Sequence, residues 1–213
     1  SKIISCSYCG VAVHKRIGYC KKKFYVIHNG IYIEKKYNKN YGELLNKNVI
    51  NIASIGRNSP QKNRNYFLKI LDILAKFRPI KGIIIGRDIN SSLELKLIKK
   101  KTIYPLILKD SVSDIEKIFS DIDILLITSV FGEGCPNILI EAMQYGVLVI
   151  STDVGDSKYI LNNERLIIPL NNSLEAAEKI IKVFNKNDLE SIVSNCYKRG
   201  KTLFCEDIMV KRY

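Results

Sequence analysis

From Asn48 onward the chain alternates two hydrophobic rhythms. Short unbroken apolar runs predict strands at Val49–Ser54, Gly82–Gly86, Tyr104–Leu108, Asp123–Ile127 and Val147–Ser151. Between them the period lengthens. Asn63–Phe77 places Phe67, Ile70, Leu71, Leu74 and Phe77 on one helical face. Leu93–Lys100 reads as a polar surface helix, and Val112–Phe119 as a helix capped by Ser111 or its neighbours. Pro136–Tyr145 reads as a helix stopped by Gly146; Asn172–Phe184 and Asp188–Lys198 close the chain, the latter ended by Gly200. Strands without a polar face, alternating with helices, predict an α/β fold: a doubly wound parallel sheet covered on both faces. Such sheets bind ligands at the carboxyl ends of their strands. The residues placed there are Gly56 and Arg57, Gly86, Ser129 and Glu133, and Asp153-Val-Gly155.

Residues 1–47 follow another pattern. Ile3-Ile-Ser5 reads as a strand end, Ser7–Ile17 as a helix and Tyr25-Val-Ile-His28 as a strand. Asn29-Gly30 is a turn dipeptide, and the polar stretch Tyr37–Lys47 suits a linker. His14 and His28 are expected on the surface or in the linker.

Composition narrows the function. With 213 residues, 46% hydrophobic, the chain can bury a sizeable core. The longest apolar runs, such as Ile122–Ile127, fall far short of a membrane span. The start shows no secretory-signal pattern and no Met, so a fragment of a longer protein is expected. A net charge of +13 reflects a bias toward Lys, Ile and Asn with solvated faces. It also suits attraction to an anionic membrane surface or an acidic substrate. Nucleic acid is disfavoured, because no basic tail or aromatic-interleaved basic patch is present. The six cysteines are expected as reduced thiols. Cys6-x2-Cys9-x4-His14-x5-Cys20, followed by Lys21-Lys22-Lys23, comes close to a zinc-knuckle spacing and leaves a zinc or nucleic-acid module at residues 6–23 open. A helix over Ser7–Ile17 would splay those ligands, making Cys6 and Cys9 small core-facing residues instead.

The chemistry concentrates in Phe131-Gly-Glu-Gly-Cys-Pro-Asn-Ile-Leu-Ile-Glu-Ala-Met143. Glu133 lies in a glycine-flanked loop, Pro136 suits the first turn of a helix, and Glu141 follows about one turn later. The segment offers two carboxylates for hydroxyl groups and a cluster of free helix N–H groups for an anion. Upstream, Gly56-Arg57-x4-Lys62 sits between a strand and a helix. Glycine lets a ligand approach the backbone, Arg57 can fork onto phosphate oxygens and Lys62 adds a point charge. Two cations for a diphosphate and two carboxylates for hydroxyls describe a nucleotide-sugar site.

On these residues the sequence resembles the C-terminal, donor-binding half of family 4 glycosyltransferases, enzymes of the two-domain GT-B fold. The matching pieces are Ile4-Ser5 with a helix ending at Gly18-Tyr19, Val26-Ile-His-Asn-Gly30, Ser54 to Lys62, Ile84-Ile-Gly86, Asp121-Ile-Asp123 through Ser129, Glu133 to Met143, and Gly146 through Gly155. The resemblance implies a retaining hexosyltransferase that uses a nucleotide diphosphate sugar, without a metal or other cofactor. By it, Arg57, Lys62 and Glu133 are catalytic: the two cations neutralise the diphosphate and Glu133 contacts the sugar. Gly134, Cys135, Pro136, Asn137 and Ile138 hold phosphate and sugar, and Glu141 binds the ribose. Gly56 lets the donor approach the backbone, and Gly86, with Leu108 and Lys109, borders the base. It also implies residues 1–47 as the tail of an N-terminal acceptor domain plus linker, 48–200 as the donor domain, and 201–213 as a C-terminal helix. That helix would pack on the missing acceptor domain, leaving an apolar surface exposed around Ile3, Ile4, Phe204 and Met209. The sequence departs from the family at His28, usually proline, at Tyr32, usually aspartate, and near Lys109-Asp110, where a glycine is common. The expected partners are a UDP- or GDP-sugar and the acceptor domain or a partner chain. The expected setting is the cytoplasmic face of a membrane, in surface polysaccharide or lipopolysaccharide assembly. A non-catalytic nucleotide-sugar-binding fragment and a nucleotide-sugar epimerase remain as alternatives.

Overall fold

The computed structural model describes residues 2–33, 47–111, 114–184 and 188–213. Its centre is a six-stranded, all-parallel sheet formed by β3 (Ile50–Ile55), β4 (Ile80–Ile85), β5 (Leu106–Lys109), β6 (Ile124–Ile127), β7 (Leu148–Thr152) and β8 (Ile167–Ile168). The order is β5-β4-β3-β6-β7-β8. Every residue of β6 and β7 is buried, which is what strands without a polar face require. The helices of the sheet are α2 (Arg64–Leu74), α3 (Leu93–Lys99), α4 (Ile115–Asp121), α5 (Asn137–Gln144), α6 (Ser157–Leu161), α7 (Ser173–Phe184) and α8 (Leu189–Leu203). Right-handed crossovers place α2 and α3 on one face and α4 and α5 on the other. There α2 packs against α7 and α5 against α8. The direction of winding reverses between β3 and β6, so a crevice opens at their carboxyl ends.

A second, two-stranded parallel sheet joins β1 (Ile3–Ser5) to β2 (Phe24–Val26), connected by α1 (Tyr8–Arg16). The final helix, α9 (Glu206–Arg212), lies beside the segment that follows β2, where Gly30 N–H donates to Met209 Sδ at 3.2 Å. Ile31 N–H donates to Phe204 O at 2.9 Å, and Lys201 Nζ donates to Ile33 O at 2.9 Å. A Cβ on Gly30 would lie 2.5 Å from Cys205 O, so glycine permits the close crossing.

Several expectations are corrected. Helix α2 ends at Leu74, so Phe77 lies beyond its buried face and is 66% exposed. Gly200 does not end α8. It lies within that helix, where its missing side chain lets the backbone approach Gln144 (a Cβ would meet Cγ at 3.0 Å). Pro136 is the residue before α5 and not its first helical position. Asp114 caps α4; Val112 and Ser113, like most of the Tyr37–Lys47 linker, lie outside the described residues. Cys6 is exposed and Cys9 half-buried, not core-facing. Phe204 is buried against His28 and Tyr159, whereas Ile4 is exposed as expected. His28 is 4% exposed and no surface residue. The short elements β8 and α6 had no periodic signal to announce them.

Candidate active site

The carboxyl ends of β3 and β4 meet through glycine. Gly86 has φ 152°, and a Cβ there would lie 1.9 Å from Gly56 O. Gly56 has φ 138°; its N–H donates to Ile85 O at 2.8 Å, and Asn58 N–H donates to Arg87 O at 3.0 Å. The missing side chain of Gly56 also leaves room for Lys62, whose Cε would stand 2.9 Å from a Cβ. The chain then makes a turn over Pro60–Lys62 and enters α2 through Asn63. That residue takes the left-handed conformation (φ 45°) and caps the helix by accepting from Tyr66 N–H at 3.2 Å. Asparagine tolerates this conformation better than other side chains. The Gly56-Arg57-x4-Lys62 segment is thereby folded back over the end of β3. The Arg57 side chain is exposed there and forms no hydrogen bond or ion pair with any described residue.

The loop after β6 lies alongside. Thr128 Oγ1 donates to Lys62 O at 2.9 Å, and Val130 N–H donates to Gln61 O at 3.0 Å. These bonds bring Glu133 to Lys62: Nζ and Oε1 are 2.6 Å apart, and Ser129 Oγ donates to the same oxygen at 2.7 Å. Two of the three proposed catalytic side chains are therefore in direct contact, while Arg57 stands apart from both. In the absence of ligand the Lys62 ammonium is thus ion-paired with the Glu133 carboxylate. The loop backbone is fixed from the other side. A Cβ on Gly155 would meet Glu133 O and Gly134 O, both at 2.6 Å, and Asp156 N–H donates to Gly134 O at 2.9 Å.

Helix α5 starts at this point with no side-chain cap on its N-terminus. Its first N–H groups, at Asn137 and Ile138, face the loop end, where an anion would satisfy them. The Asn137 side chain is held by Asn29, whose Nδ2 donates to Oδ1 at 2.7 Å. Cys135 and Pro136 are buried, and burial pushes the Cys135 thiol up to about 12, so its side chain is an inert wall. Leu108 is half-buried and Lys109 exposed at the end of β5; Gly86 N–H donates to Lys109 O at 3.1 Å, which puts these three on one edge.

Glu141 lies one turn into α5, half-buried, and its carboxylate has no hydrogen-bond or ion-pair partner among the described residues. Burial raises its carboxyl above the usual range. Where the folded value of a carboxylate exceeds the unfolded one, the folded state holds its proton longer. Stability then falls as pH rises from the unfolded value of about 4 through the folded value, and stays lowered above it. Glu141→Gln is therefore expected to melt higher than the wild type at pH 7 and to lose that decline. Equal melting temperatures across pH 4–8 would contradict it.

Sequence reasoning placed Ser129 on this rim without its bond to Glu133, and missed Arg64 and Asp156. Ser129 orients Glu133. Arg64, 5% exposed, stands behind the Gly56 turn. Asp156 accepts from the Tyr8 and Cys9 N–H groups at 2.7 and 2.9 Å and pairs with His28 at 2.8 Å. Arg64 had a signal: it falls at helical spacing with Phe67, Leu68 and Leu71, a cation on an apolar face. Among the described residues, no group of three or more His, Cys, Asp or Glu side chains is placed to hold a metal, and no helix is long and apolar enough to cross a membrane.

A family model for glycosyl transferases group 1 matches residues 48–186. No curated protein sequence matches the chain. Among solved structures, Anabaena HepE in complex with UDP-glucose superposes with a TM-score of 0.84 at 18% identity, over 100% of this chain and 62% of that one. For TarM from S. aureus, a variant in complex with fondaparinux, alpha-GlcNAc-glycerol and UDP, the TM-score is 0.78 at 18% identity, covering 99% and 42%. For WaaG, a glycosyltransferase involved in lipopolysaccharide biosynthesis, it is 0.75 at 15%, covering 99% and 61%. The chain thus spans less than two thirds of the length of these proteins. The likenesses show the fold, the Rossmann-like α/β domain of GT-B glycosyltransferases. The family match extends over well more than half of the residues and includes both the Gly56–Lys62 turn and the Glu133–Glu141 segment: the chain belongs to the glycosyl transferases group 1 family.

Proposed function

We propose that the chain is the donor-binding half of a retaining, family 4 glycosyltransferase. It moves a hexose-type sugar from a nucleotide diphosphate to a glycan or lipid-linked acceptor. The observation that carries this reading is the meeting of Lys62, Glu133 and Ser129 beside the uncapped start of α5, with Glu141 one turn further on. A diphosphate seated on the α5 N–H groups, Arg57 and Lys62 has its departing charge stabilised in a site already organised for it. In this reading Lys62 turns from Glu133 to the phosphate as ligand enters, which frees the Glu133 carboxylate to accept from sugar hydroxyls. Glu141, without a protein partner, accepts from the ribose. With Arg57 and Lys62 in that role the reaction needs no metal. The UDP and UDP-glucose held by two of the structural neighbours favour a uridine nucleotide over a guanosine one. The involvement of WaaG in lipopolysaccharide biosynthesis, with the charge of +13, supports a role in surface polysaccharide assembly at the cytoplasmic side of an anionic membrane. The acceptor would bind to a further domain or a partner chain.

The test is a thermal-shift titration with UDP- and GDP-sugars, with and without chelator. At 100 times the dissociation constant a ligand adds about 2.7 kcal/mol, which at this size raises the melting temperature by roughly 5–11 °C. The shift is expected to resist chelator and to be lost in Arg57→Ala and Glu141→Ala. A shift that chelator removes would sink the metal-free reading, and no shift with any nucleotide sugar would sink the donor site in this chain.

A further inference from the structure

Arg64 is the first residue of α2 and is almost fully buried, yet no acidic side chain among the described residues pairs with it. Its guanidinium is bonded to neutral oxygens instead. Nη1 donates to Ser54 Oγ at the end of β3, and Nη2 donates to Gly56 O at 2.6 Å and, more weakly, to Arg57 O at 3.5 Å. Nε is buried without a partner. Among the residues that line the same 430 Å³ cleft the acid is Glu94, exposed on α3 and not bonded to Arg64. Desolvation alone drags the guanidinium down to about 10. A buried, unneutralised cation is costly, and carbonyl oxygens offset only part of that cost. Arg64 therefore stands directly behind the turn whose other side is offered to the ligand, with an unmet demand for negative charge.

We propose that Arg64 is a positioning residue for the donor diphosphate. It holds the carbonyls of Gly56 and Arg57 inward, so that the turn presents its other side to the ligand. It also sets a buried positive charge behind the phosphates. This rests on the donor-site reading above. The bound diphosphate supplies the counter-charge that the protein withholds, so part of the donor's affinity comes from a residue that does not touch it.

Two variants separate charge from geometry. Arg64→Gln keeps a donor for the Gly56 carbonyl and removes the charge; Arg64→Lys keeps the charge and loses the fork. Affinities for UDP and UMP are measured by NMR titration, beside the melting temperature of each ligand-free variant. Two unit charges roughly 10 Å apart at an effective dielectric of about 20 interact by enough for about a tenfold change in affinity. Arg64→Gln is expected to weaken UDP by about tenfold and UMP by less, whereas Arg64→Lys stays within about threefold of wild type for UDP. Equal losses of UDP and UMP in Arg64→Gln, or a UDP loss in Arg64→Lys as large as in Arg64→Gln, would reduce Arg64 to a structural strut. No loss in Arg64→Gln would overturn the proposal outright. Should Arg64→Gln fail to fold, Arg64→Lys decides: loss of UDP binding with charge retained refutes the charge argument. Wild-type protein that binds neither UDP nor GDP would remove the donor site itself, a separate failure.

Discussion

Gly86→Ala is expected to lower stability by about 4 kcal/mol or more and to destroy donor binding with it. The Cβ would sit 1.9 Å from the carbonyl oxygen of Gly56, and that oxygen belongs to the backbone at the end of the neighbouring strand, so no rotamer change relieves the overlap. The residue also stands at φ 152°, where an L side chain is strained even in open space. Relief requires the ends of β3 and β4 to move apart, which breaks the bond from Gly56 N–H to Ile85 O and displaces the turn that carries Arg57 and Lys62. Against a total stability of about 5–15 kcal/mol this is a large fraction, and at this chain length it lowers the melting temperature by roughly 8–16 °C. Gly18→Ala provides the comparison. Gly18 also has positive φ, at 100°, but a Cβ there meets nothing within 4 Å, so only the conformational cost of about 1–2 kcal/mol applies. Denaturant unfolding of the two variants checks the difference. A cost for Gly86→Ala no greater than that for Gly18→Ala would show that the strand ends are not held in contact.

This close approach of two strand ends illustrates what the sequence conveys and what it withholds. The β3 and β4 runs are legible because buried parallel strands must be apolar on both faces, and Gly86 after such a run signals close backbone approach. That the approach is to Gly56 depends on strand order, which periodicity does not encode. Glu133 and Glu141 stand out because carboxylates around a glycine-flanked loop have few structural uses. The Lys62–Glu133 contact was not legible, since each residue alone reads as a ligand contact and only the Thr128 and Val130 bonds bring the loops together. Phe77 fitted the helical period but lies past the end of α2, where period is no guide. His28 looked like a linker residue because its environment is assembled from distant parts of the chain. Tyr159 stacks on it at 5.0 Å, and Tyr8 and Phe204 meet its ring edge-on at 5.2 and 5.5 Å.

That assembly leads to the second large effect. Asp156→Asn is expected to cost about 3–5 kcal/mol at pH 7, because it breaks a buried, hydrogen-bonded pair and leaves its partners unmatched. The Asp156 carboxylate accepts from Tyr8 N–H and Cys9 N–H, at the start of α1, and from His28, three bonds spanning more than 120 residues of sequence. An amide accepts through one oxygen only and turns its NH2 toward the remaining donors. Burial on its own would raise the Asp156 carboxyl. The bond to His28 and the two N–H groups outweigh it and hold the folded value below the ordinary one. A depressed carboxylate contributes its stability in full above the unfolded value of about 3.9 and loses it as pH falls through the folded value. The melting temperatures of wild type and Asp156→Asn should therefore differ most above the unfolded value and converge as pH falls below it. A gap that stays constant from pH 7 to pH 3 would mean the cost is steric and not one of charge. The consequence reaches the site. Asp156 N–H holds Gly134 O, and Cys9 Sγ donates to Glu133 O at 3.5 Å, so the same residue fastens α1 on one side and the Glu133 loop on the other. Amide hydrogen exchange in Asp156→Asn should accelerate at Tyr8, Cys9 and the Gly132–Cys135 loop together. Acceleration confined to α1 would show that the clamp anchors the first 33 residues without tuning the loop that carries Glu133.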